Sequence, residues 1–102
     1  MSESVLLGTD LKFVVAIEAL GFSQERDDWS VSIMRGTTVI RRYAKEDMVN
    51  AGEGEFIMCV RTESLEVGDY DFVVTAKVPD GDFDDGFRNE VFRDKLMTVK
   101  RL

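Results

Sequence analysis

Asp10-Leu11-Lys12-Phe13-Val14-Val15-Ala16-Ile17-Glu18-Ala19-Leu20 can be read in two ways, and the fold follows from the choice. Leu11, Phe13, Val15, Ile17 and Ala19 occupy every second position, which is the pattern of a strand with one face on a core. Phe13, Ala16, Ile17 and Leu20 also satisfy helical spacing, with Asp10 as a candidate N-cap. Five consecutive alternating positions and the β-branched content favour the strand.

The same alternation recurs downstream. After a polar loop at Gly21–Asp28, Trp29, Val31 and Ile33 alternate with Ser30 and Ser32, and Gly36 marks a tight turn into Thr38–Tyr43, so the two runs read as a hairpin. Ala44–Gly52 is too short and polar for more than a helical turn. Glu55–Thr62 is apolar at Phe56, Ile57, Met58 and Val60, the composition of a strand covered on both faces, which would bury Cys59 as a small hydrophobe. A strand from Tyr70 to Val78, then Arg88–Arg93 and Lys95–Arg101, complete six or seven strands. The expected fold class is all-β, an antiparallel immunoglobulin-like β-sandwich without a disulfide. Residues 1–102 form one domain, with 1–9 set apart as a flexible N-terminal segment.

Leu65-Glu66-Val67-Gly68-Asp69-Tyr70 carries the sandwich reading. A tyrosine opening a late strand matches the tyrosine corner, in which the phenol folds back onto the preceding connection. Phe72 stands where antibody domains place a cysteine, so packing alone must hold the layers. Trp29, in register with Val31 and Ile33, is expected in the core; the rival reading is an exposed ligand platform.

Composition bounds the chemistry. A chain of 102 residues, 44% apolar and 32% charged, can bury roughly two thirds of its unfolded surface and fold without staples. It contains no histidine, which removes the commonest general base and the usual zinc, haem and triad chemistry. No P-loop, GxSxG or dinucleotide fingerprint occurs, and no pair of carboxylates stands out for glycosidic cleavage, so the chain is expected not to be an enzyme and to need no cofactor. MSESVLLG has acidic and polar residues where an export signal carries positive charge, and no apolar run is longer than Phe13–Ile17. Cytoplasmic synthesis without secretion or membrane contact is expected. The net charge is −7, with 8 acids against 6 bases up to Gly52 and 12 against 7 beyond it. That field disfavours nucleic acid, and Arg35, Arg41 and Arg42 read as a solvated face rather than a phosphate site.

Pro79-Asp80-Gly81-Asp82-Phe83-Asp84-Asp85-Gly86 is the one stretch that invites a metal. Asp80, Asp82 and Asp84 fit positions one, three and five of a calcium loop. Asp85 stands where the sharp-turn glycine belongs, and Val91 where the bidentate glutamate belongs. A strand-connecting loop is the simpler reading, and a calcium site at Asp80, Asp82, Asp84 and Asp85 is the alternative.

Asp10-Leu11-Lys12-Phe13, Asp27-Asp28-Trp29-Ser30-Val31 and PDGDFDDGFRNEV followed by a short last strand together resemble small immunoglobulin-like domains of phage and prophage tails and baseplates. The likeness is to the N-terminal domain of upper baseplate proteins and to short proteins of Bacteroides-type mobile elements. The resemblance implies a non-catalytic structural or adaptor role, with protein partners met by self-association or in a larger virion-like assembly. The competing expectations are a calcium-dependent binding module and a cytosolic acidic adaptor or inhibitor.

Overall fold

The computed structural model describes residues 3–102. Eight strands follow one another: β1 (Glu3–Leu6), β2 (Asp10–Val15), β3 (Trp29–Arg35), β4 (Thr38–Ala44), β5 (Val49–Gly52), β6 (Glu55–Arg61), β7 (Gly68–Pro79) and β8 (Phe87–Lys100). A large sheet has the order β1-β8-β7-β3-β4 and a small one β2-β6-β5. Among the described residues the only helical piece is the turn Lys45–Asp47, and no helix is long and apolar enough to cross a membrane.

The deciding stretch is strand over Asp10–Val15, and the helical alternative for residues 11–20 fails. Leu11, Phe13, Val15, Ile17 and Ala19 are half-buried, and the residues between them are exposed. The ladder with β6 ends at Val15 opposite Phe56, yet the alternation runs on to Ala19. Gln24 explains why. Its side-chain amide donates to the Val15 carbonyl at 3.2 Å and accepts from the Ile17 N–H at 2.7 Å, doing for the backbone what a further strand residue would do. At 4% exposure this is a buried polar group whose hydrogen bonds offset its desolvation.

Trp29 is core, 5% exposed, and its indole N–H donates to the Gln24 carbonyl at 2.8 Å while its ring meets Phe56 edge-on at 5.1 Å. Val31 and Ile33 follow it inward from the large sheet, and Phe56, Met58 and Val60 answer from the small one. The chain passes between sheets at Gly8, where φ is +100°, and the turn is held by fully buried Thr62, which accepts from the Gly8 N–H and donates to the Thr9 carbonyl.

Tyr70 is 2% exposed and donates to the Glu66 carbonyl at 2.7 Å, the fold-back expected of it.

Several details correct the sequence reading. Among the described residues eight strands form, where six or seven were expected. Residues 3–6, inside the segment expected to be flexible, are β1, and β1 runs parallel to β8 in an otherwise antiparallel pair of sheets. Val49–Gly52 forms β5 beyond the expected helical turn. The two expected last strands are one, because a bulge at Leu96 places Tyr70 opposite Met97 but Asp71 opposite Lys95. Leu96 and Met97 consequently both point inward, and that break in alternation mimics a strand boundary.

β6 is covered on one face only, so Cys59 is exposed rather than buried. Ile57 lies between Val14 and Val49 in an apolar row across the outer face of the small sheet. The radius of gyration, 14.8 Å, exceeds the about 13 Å of a typical 100-residue domain because the long β7–β8 hairpin reaches past the small sheet.

Two outcomes follow from this geometry. Tyr70→Phe leaves the Glu66 carbonyl without its buried donor and should lower unfolding free energy by about 1 to 2 kcal/mol in urea titration. Cys59 should react fully with a thiol reagent in the native protein; reaction only after denaturation would return it to the core.

Candidate functional site

The candidate site is a seam, built from two strand edges. β2 is an edge strand of the small sheet, and beyond it Ala16–Ala19 keep its alternation of exposed and half-buried residues. β8 is flanked by β7 on one side, and β1 pairs on the other side only with Met97–Lys100. Among the described residues no strand is paired with the outer edge of Phe87–Lys95. Between these edges lies a groove of about 550 Å³, walled by residues 13–19 and by Glu90, Val91 and Phe92, with Val31, Met58, Phe72, Val74 and Leu96 in its floor.

Register decides what β8 offers to the groove. Arg88, Glu90, Phe92 and Asp94 stand opposite Val78, Ala76, Val74 and Phe72, and opposite residues share a face, so all four lie on the inner side. The small sheet does not reach them. Phe92 is therefore an inward-facing aromatic that remains 58% exposed, touching Phe72 at a ring separation of 5.9 Å. Val91, on the opposite face of the same edge, is 66% exposed. Glu18 and Glu90 are the ionisable groups of the lining. Apolar floor, open backbone edges and few polar side chains suit a β-strand better than a small polar substrate.

The acidic loop is organised around its own chain. The Asp80 carboxylate accepts from Arg88 at 2.9 Å and from the Asp82 N–H at 3.0 Å, and the Asp80 N–H donates to the Gly86 carbonyl, closing the loop. Asp85 accepts from the Phe87 N–H. Asp82 and Asp84 are exposed. The four aspartates are thus near in sequence without converging, and among the described residues no group of three or more potential ligands is arranged to hold a metal ion.

The arginines are likewise used internally. Arg35 binds Glu66 and the Val67 carbonyl and lies 5.9 Å from the Tyr70 ring centre. Arg41 donates to the Arg61 carbonyl and to Ser64. They tie the β3–β4 hairpin to the β6–β7 connection. The seam itself was not legible as a site, because its signal is the absence of a neighbour; the nearest sequence clue is Val91-Phe92 between charged residues.

The hydrogen bond from the Asp82 N–H and the Arg88 guanidinium hold the Asp80 carboxyl below its usual range, and at Asp27 the Arg26 guanidinium, then the Ser23 N–H, does the same. A depressed folded pKa contributes stability above the unfolded value near 3.9 and loses it as pH falls through and below that value. Melting temperature should therefore drop as pH falls through and below the unfolded carboxyl value of about 3.9, and Asp80→Asn should flatten part of the slope. An unchanged slope in that variant would remove Asp80 from the account.

Comparison of the chain with protein-family models, with curated proteins and with solved structures found no match.

Proposed function

We propose that the chain is a non-catalytic structural or adaptor protein of an immunoglobulin-like kind, acting through protein–protein contacts at its open seam, in an assembly of the phage tail or baseplate type that its sequence resembles. The observation that carries this reading is the unpaired β8 edge, Phe87–Lys95, beside an apolar groove. Unpaired N–H and C=O groups in a row bind another strand by main-chain hydrogen bonds, and pockets beside the edge select its side chains.

Three facts support the immunoglobulin-like part. If β1 to β8 are equated with strands A′, B, C, C′, D, E, F and G, the large sheet has the order A′GFCC′ and the small one BED. Trp29 then occupies the core position of strand C, and Tyr70 makes the corner at the start of F. The edge of the small sheet beside β2, where a further A strand would lie, is vacant among the described residues, and this leaves the groove open.

The bonds already made by Asp80 weigh against the calcium alternative. The test is fractionation: when the element encoding this chain is induced, antibody against the chain should find it in sedimenting particles, and Val91→Pro, which bars strand addition while sparing an edge position, should leave it in the soluble fraction. Wild-type chain confined to the soluble fraction would overturn the assembly role. A rise of several degrees in melting temperature with millimolar calcium would favour the binding-module reading.

A further inference from the structure

We propose that the strand covering this seam is β8 of a second copy, paired antiparallel along Phe87–Lys95 about a two-fold axis at Val91. The inference rests on reading the open edge as the working surface, and it names the occupant and its register.

The free edge has definite ends. It starts where β8 starts, at Phe87, and stops at Lys95, because Leu96 is the bulge and Met97 begins the ladder with β1. Its midpoint is Val91. A two-fold contact that keeps both inner faces on the same side and uses the whole edge must centre there.

That register sets Val91 against Val91, Glu90 against Phe92, Asn89 against Arg93, Arg88 against Asp94 and Phe87 against Lys95. No like charges meet, and symmetry makes the Arg88–Asp94 pair twice. The adjacent registers fail. Centring on Glu90 faces that glutamate with its own copy, and centring on Phe92 faces Glu90 with Asp94, each a destabilising like-charge pair. The register chosen by geometry is thus the one chosen by charge, a coincidence that a foreign strand would not require.

The same register treats the other exposed features. Phe92 comes diagonal to Phe92 of the second copy, a separation of about 7 to 8 Å that aromatic rings span, so each covers the other's groove. Where one copy's β8 begins, the other copy's edge passes to its own β1, which starts opposite Met97, so the strands abut without overlap. Val91, 66% exposed in the single chain, is covered by its twin.

Sedimentation equilibrium should show a concentration-dependent dimer, and Asp94→Arg, which sets like charges opposite Arg88 twice, should weaken it about tenfold or more. In a Cys59→Ser background, Val91→Cys should oxidise to a disulfide-linked dimer and Asn89→Cys should not, since only the central residue faces itself. A wild-type chain that stays monomeric at millimolar concentration, or equal crosslinking of the two cysteine variants, overturns the proposal. The two readings separate cleanly: a monomer still excluded from particles by Val91→Pro would retain edge docking with a different strand as occupant, whereas a monomer indifferent to that substitution would lose both.

Discussion

The hydrogen bonds around Gln24 and Trp29 are the constraint on which the architecture depends. The indole is wedged against Phe56 between the sheets, and its N–H is satisfied by the carbonyl of the same glutamine whose amide grips Val15 and Ile17. One buried residue therefore links the core aromatic, the Gly21–Asp28 loop and the extension of β2. Without it, the Val15 carbonyl and the Ile17 N–H would lose their partner at the rim of an apolar groove.

This arrangement fixes where the molecule is finished and where it is open. Core side chains close the interior from Trp29 through Val99, and internal hydrogen bonds absorb Arg35, Arg41 and Asp80. Those groups, the most suggestive of chemistry in the sequence, serve the fold. The seam between β2 and β8 has the opposite character: side chains of ordinary chemistry beside backbone edges without partners. Natural sheets guard such edges with charge, bulges or cover. Here β1 covers one end and the Leu96 bulge ends the exposed stretch, while Phe87–Lys95 alternates charge with Val91 and Phe92, a composition that restricts pairing to selected registers without forbidding it.

Legibility in the sequence divided along physical lines. Trp29, Val31 and Ile33 announced an inward face because side-chain direction in a strand is a local property of period two, and Tyr70 announced its fold-back because the phenol reaches only a few residues upstream. Cys59 was misread because Ile57 and its neighbours look like a strand buried on both faces; whether a second face is covered depends on what lies beyond it. The break expected between Arg93 and Lys95 is a bulge at Leu96 within one strand, since a bulge resets the alternation as a strand end does.

The sequence by itself determined that the chain is all-β, which aromatics enter the core, and that an acidic loop joins the last long strands. Only the tertiary structure decided that β1 joins β8 in parallel, that the ladder stops at Met97, and that nine residues of edge face an open groove. Alternation is written residue by residue, whereas pairing joins segments at opposite ends of the chain, and an unpaired edge is defined by a neighbour that ends too soon.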